Sequence, residues 1–113
     1  MSHRVKVVEP SGILDATQAE HFDQQISNVI QEGADIVLID LQDVKFMDSS
    51  GLRLIISAYK TVKAANLKFF LCSLNHQAKM ICELSGINKL LEIFPDRQSF
   101  SQAINSVEQL VQE

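Results

Sequence analysis

The hydrophobic positions of this chain change their spacing several times, and each change marks a boundary between elements. Arg4-Val5-Lys6-Val7-Val8 alternates, as a strand does when one face is more polar, and is expected toward a sheet edge. Glu9-Pro10-Ser11-Gly12 breaks it. From Asp15 the spacing becomes helical: Ala19, Phe22, Ile26, Val29 and Ile30 form a stripe, with Asp15 or Thr17 as the cap and Gly33 as the end. Ile36, Val37, Leu38, Ile39 and Leu41 are an almost unbroken apolar run, the pattern of a strand covered on both faces. Leu52, Ile55, Ile56, Tyr59 and Val62 return to helical spacing, which Asn66 stops. Lys68 to Leu74 reads as another buried strand. A helix follows from Gln77 to Ser85 with Ala78, Ile81, Cys82 and Leu84 inward and Gly86 as its terminator. Leu91-Glu92-Ile93-Phe94 is a short strand closed by Pro95 and Asp96. Phe100, Ala103, Ile104, Val107, Leu110 and Val111 predict a C-terminal helix capped by Asp96 or Ser99.

Strands separated by helical segments of about 10 to 18 residues imply right-handed crossovers and at least partly parallel pairing. The expected fold is therefore α/β: one small domain over residues 1–113, with a mixed sheet of about four strands and about four helices. The composition agrees, since 113 residues with 46% hydrophobic content suit a single core. A formal net charge of −4 with dispersed Lys and Arg argues against nucleic acid and for neutral or basic protein surfaces as partners. No apolar run approaches the roughly 18 to 20 residues of a membrane span, and the N-terminus lacks the apolar core of a secretory signal, so no membrane association and a cytoplasmic location are expected. Cys72 and Cys82 lack CxxC spacing and sit in apolar surroundings, which predicts buried reduced thiols rather than a disulfide, metal site or redox pair.

Catalytic signals are absent. There is no Gly-x-Ser-x-Gly, no Walker-type loop and no Gly-x-Gly-x-x-Gly; His3, His21 and His76 have no supporting motif, His21 reading as a solvated helix residue and His76 as a loop or cap. No catalytic residue, metal or cofactor is expected. A phospho-receiver with Asp40 as acceptor is the nearest α/β competitor, but it needs an acidic pair after an early strand, for which Glu9-Pro10 is a weak substitute.

The densest chemistry lies in Phe46-Met47-Asp48-Ser49-Ser50-Gly51-Leu52, ahead of the central helix. Asp48, Ser49 and Ser50 are all N-cap candidates, whose side-chain oxygens accept from unpaired N–H groups of the first turn. One cap suffices, so the surplus hydroxyl at a positive helix end is a plausible phosphate site. Along the same helix Ser50, Leu54, Ser57 and Thr61 fall on one small, mostly uncharged stripe flanked by Arg53 and Lys60, with Leu54 expected to be exposed.

These residues resemble the signature of the STAS domain, specifically the bacterial anti-sigma factor antagonists, and the resemblance extends to Gly12-Ile13-Leu14-Asp15 and to Leu84-Ser85-Gly86-Ile87, nearly the whole chain. It implies a protein that switches partners. The unphosphorylated form would bind an anti-sigma factor that is also a serine kinase of the histidine-kinase-like ATPase class; that kinase would phosphorylate Ser49, and a PP2C-type phosphatase would reverse the step. Asp15, Asp48, Ser50, Gly51, Arg53, Leu54 and Ser57 are the implied partner-binding residues, Gly51 by keeping the backbone open to the partner. Arg53 departs from the family, which often carries a small residue there. The family usually has a further strand ahead of Arg4, which this sequence does not reach, so a less protected edge is expected; Lys6 and Pro10 blunt it, which leaves pairing with a second copy as a weak homodimer at most. The alternative is a non-switching STAS module that scaffolds a larger signalling or transport complex.

Overall fold

The computed structural model describes the backbone of residues 3–112 and the side chains of residues 3–105. In chain order the elements are β1 (Val5–Val8), β2 (Gly12–Leu14), α1 (Ala19–Gln31), β3 (Ile36–Asp40), β4 (Val44–Met47), α2 (Ser49–Ala64), β5 (Lys68–Cys72), α3 (His76–Ser85), β6 (Glu92–Phe94) and α4 (Arg97–Gln112). Short 3-10 turns occupy Ala16–Gln18 and Ile87–Lys89.

Four strands form a sheet in the order β1-β3-β5-β6. Every ladder in it is parallel, where a mixed sheet was expected, because each connection between neighbouring strands contains a helix that returns the chain to the starting end. As expected, β1 lies at an edge. The alternation of β3 then assigns the layers. Val37 and Ile39 face a large core built with Phe22 and Ile26 of α1, Ile55 and Val62 of α2, and Cys82 of α3. Ile36 and Leu38 face the other way, against Cys72 and Phe100 of α4. Both faces are thus covered, which is why β3 is apolar from Ile36 to Ile39. Behind it Phe70, Phe94 and Phe100 pack with ring centroids 5.5–5.7 Å apart. The two thiols lie buried on opposite faces, and burial raises the pKa of both, that of Cys82 to about 11.

Local chemistry sets the boundaries. Asn66 takes a left-handed φ of 63° after α2, and Gly86, at φ 80°, closes α3 by donating its N–H to the Cys82 carbonyl. Asp96 rather than Ser99 caps α4: its carboxylate accepts from the Ser99 N–H at 2.7 Å, which lowers the pKa of Asp96. Asp15 caps the 3-10 turn that precedes α1, accepting from the Thr17 N–H at 3.0 Å. His76 is the first residue of α3, with Asn75 as the cap. Leu84, expected inward, is 84% exposed, since the buried face of α3 is set by Ala78 and Cys82 and Leu84 lies round the helix from them. Val107, Leu110 and Val111 lie outside the residues whose side chains are described.

Two strands were not foreseen. β2 and β4 pair in parallel as a separate ribbon, with Ile13 opposite Phe46, Leu14 opposite Met47, and a register shift between Gly12 and Ile13. The supposed connector after β3 is therefore strand, and its last residue abuts the cap of α2.

Candidate functional site: the amino end of helix α2

Helix α2 starts where the β2–β4 ribbon ends, and two side chains, those of Asp48 and Ser50, fix its first turn. Asp48 is extended (φ −96°, ψ −174°) and its Oδ1 accepts from the Gly51 N–H at 2.8 Å, the geometry of an N-cap. The same oxygen accepts from the Ser50 hydroxyl at 2.7 Å. That hydroxyl in turn accepts from the Ala16 N–H at 3.1 Å, so Ser50 ties the helix start to the turn led by Asp15. The Ser50 hydroxyl, followed by the Gly51 N–H, holds the Asp48 carboxyl below its ordinary pKa of 3.8. Asp48 is therefore ionised at neutral pH.

Ser49 stands apart from this lattice. It is exposed, occupies the first helical position, and its hydroxyl has no hydrogen-bond partner among the described residues. Of the two adjacent serines, one hydroxyl is engaged in both directions and the other is open to an incoming group.

Gly51 has a different role from the one expected. It is buried, and a Cβ there would lie 1.9 Å from the Leu14 carbonyl oxygen and 3.0 Å from the Met47 side chain. Its missing side chain accommodates the protein's own ribbon, not a visiting partner. Leu54 is also corrected: it is half-buried and leans on the main core, so the stripe expected from Ser50 to Thr61 is not an open face along its length. Its exposed part is Ser57 and Thr61, with Arg53 and Lys60 beside them.

The ribbon adds apolar surface that periodicity did not reveal. Ile13 and Phe46, register partners, are 55% and 48% exposed on the ribbon whose strands lead into Asp15 and Asp48. On the other edge of β4, the Asn75 carboxamide donates to the carbonyls of Val44 and Lys45 at 3.2 and 3.0 Å. Gln77 accepts from the Met47 N–H at 2.9 Å and donates to the Met47 carbonyl at 2.7 Å. Contacts between residues so far apart in sequence leave no local pattern to read.

Asp40, the acceptor in the receiver alternative, is closed. It is 3% exposed; Oδ2 meets Arg97 at 3.0–3.1 Å and Oδ1 accepts from the Gln42 N–H at 3.0 Å. Arg97 also meets Glu9 at 3.1 Å. Among the described residues no group of three or more His, Cys, Asp or Glu side chains could hold a metal ion, and no helix is long and apolar enough to cross a membrane.

Residues 2–100 match the family model of the STAS domain. The chain belongs to the STAS domain family. A curated relative, the anti-sigma F factor antagonist of Paenibacillus polymyxa, is 30% identical to this STAS domain over 94 residues, covering 81% of this chain and 80% of the relative. Among solved structures, an anti-sigma factor antagonist from Mycobacterium paratuberculosis superposes with a TM-score of 0.79 at 25% identity, covering 89% and 86% of the two chains. The STAS domain of a SulP transporter from Vibrio cholerae superposes with a TM-score of 0.77 at 22% identity, covering 96% and 88%, a likeness of fold. The architecture of four helices, four-stranded sheet and small ribbon is that of STAS folds.

Proposed function

We propose that this STAS domain is an anti-sigma factor antagonist that works by phosphorylation-controlled partner switching. The observation that carries the reading is the Ser49 hydroxyl, exposed and without a partner at the positive end of α2, beside an ionised Asp48. Support for the partner class comes from the relative in Paenibacillus polymyxa and the structure from Mycobacterium paratuberculosis, both named as anti-sigma factor antagonists.

In this reading the unphosphorylated corner docks an anti-sigma factor that is also a serine kinase of the histidine-kinase-like ATPase class. Asp15, Asp48, Arg53 and Ser57, with Ile13 and Phe46, form the contact surface, while Ser50, Gly51 and Leu54 hold its shape. Transfer of the γ-phosphoryl group of ATP to Ser49 adds about −1.5 to −2 charges next to Asp48. The helix end and its N–H groups tolerate that charge, but a docked partner meets repulsion and a desolvation cost, and leaves. A PP2C-type phosphatase restores binding. Ser49 is substrate throughout, not catalyst, and a cytoplasmic site of action goes with these partners.

Incubation with the kinase and ATP followed by peptide mass mapping should place phosphate on Ser49; label confined to Ser50 or Asp40 rejects the assignment. Ser49→Asp should lose kinase binding and Ser49→Ala keep it, both remaining folded by circular dichroism. The likeness to the Vibrio cholerae transporter domain favours one second reading, a STAS module that scaffolds a larger complex without switching. It predicts no response of binding to either substitution.

A further inference from the structure

Ser49 is presented from the end of β4, and what holds that end is not the sheet alone. On one side β4 pairs with β2, and the Asp48 N–H reaches the Leu14 carbonyl at 3.4 Å. On the other side no strand follows among the described residues. Instead Gln77, in the first turn of α3, closes a two-way pair on the Met47 backbone, N–H to Oε1 at 2.9 Å and Nε2–H to carbonyl at 2.7 Å. A carboxamide presents an acceptor oxygen and a donor N–H side by side, as an extended residue presents its own N–H and C=O along one strand edge, so Gln77 takes the place of a neighbouring strand at Met47. Asn75 adds donors only, its Nδ2–H groups reaching the Val44 and Lys45 carbonyls, while its Oδ1 caps α3 by accepting from the Ala78 N–H at 2.8 Å. Met47 itself is fully buried, so the residue before Asp48 is held by its side chain in the core and by its backbone at α3.

We propose that Gln77 is a positioning residue for the modification of Ser49, fixing through its clamp on the Met47 backbone the strand end from which the hydroxyl is offered to a kinase. The inference rests on the partner-switching reading and deepens it: α3 becomes part of the switch without touching the phosphate. Phosphoryl transfer depends on in-line placement of the attacking hydroxyl, so slack of even an ångström at its root lowers turnover steeply. Gln77 contributes neither charge nor a proton to the transfer. Losing it should loosen presentation while leaving Ser49 and its exposure unchanged.

The test pairs two measurements on Gln77→Met, which keeps chain length, helix preference and packing but makes neither hydrogen bond. Amide hydrogen exchange is expected to rise about tenfold at Met47 and to stay at the wild-type rate at Val37 and Ile39 of β3. With the ATP-dependent serine kinase that co-purifies with the dephosphorylated protein, kcat for Ser49 is expected to fall about tenfold or more, with KM moving much less. Phe100→Leu, which weakens the core on the opposite face of the sheet, serves as the comparison and should retain the wild-type kcat. Wild-type Ser49 that no such kinase labels overturns the partner-switching reading and this inference with it. Wild-type labelling with an unchanged kcat in Gln77→Met, or an equal loss in Phe100→Leu, overturns the inference alone.

Discussion

Asp40 and Asp48 both stand where the chain leaves or has just left a strand, yet one is sealed and the other stands beside an open hydroxyl. Asp40 is 3% exposed and its charge is balanced by Arg97, which also reaches Glu9 and so pins the start of α4 to the ends of β1 and β3. Asp48 is satisfied by the Ser50 hydroxyl and the Gly51 N–H instead, without any cation. A buried carboxylate paired with a half-exposed guanidinium holds two elements in place and leaves no carboxylate for a partner to read. A cap built from a hydroxyl and a backbone N–H keeps its charge near the surface, with Ser49 free beside it. The difference separates a carboxylate that serves stability from one suited to a switch.

Breaking the sealed end should have the largest effect on stability. Arg97→Ala leaves the Asp40 carboxylate buried without its counter-ion and is expected to cost about 2 to 4 kcal/mol in urea unfolding, below the cost for a fully buried pair because Arg97 is half exposed. Adding Asp40→Asn should recover part of that loss. Gly51→Ala follows, at about 1 to 3 kcal/mol, because the new methyl meets the backbone of Leu14, which cannot rotate away. Retention of wild-type stability would show that α2 and the ribbon can slide apart.

Smaller effects sharpen the open end. Ser50→Ala removes both hydrogen bonds of that hydroxyl and should cost about 1 kcal/mol. It should also raise the Asp48 pKa toward 3.8, which carbon-detected NMR titration of the carboxyl would report. Because the folded-state pKa is depressed, the stabilisation from Asp48 is present above 3.8 and is lost as pH falls through the lower folded value; in Ser50→Ala that acid loss should be smaller and be complete nearer 3.8. Ser49→Ala should change stability least, within about 0.5 kcal/mol, since its hydroxyl holds nothing. Its effect is expected in the kinase assay, where labelling should vanish.

The main frame was legible because β3, β5, α1 and α2 bury side chains at regular intervals, and Asn66 and Gly86 punctuate them with left-handed turns. The ribbon was not, because β2 and β4 span only three and four residues and expose Ile13 and Phe46, so neither displays a buried period. At the site, residue types pointed to a cap among Asp48, Ser49 and Ser50 without choosing between them, and the proposal of Ser49 rests on family resemblance. The separation of the two serines could not be read in this way, since it depends on Ala16 arriving at Ser50 from an earlier turn. Leu54 and Gly51 were misplaced for a related reason: helical spacing gives an angle round α2 but not how closely the ribbon approaches it.

Parallel pairing in every ladder has a kinetic consequence. No two neighbours in the four-stranded sheet are joined by a hairpin, so each pairing closes a loop that contains a whole helix before the contact forms. β3 is the shared neighbour of β1 and β5, which makes it the natural seed of assembly. On a ribosome the segment up to Asp40 would emerge with one flank of that apolar strand bare until Cys72 had followed, a window in which slow translation would favour association between nascent chains.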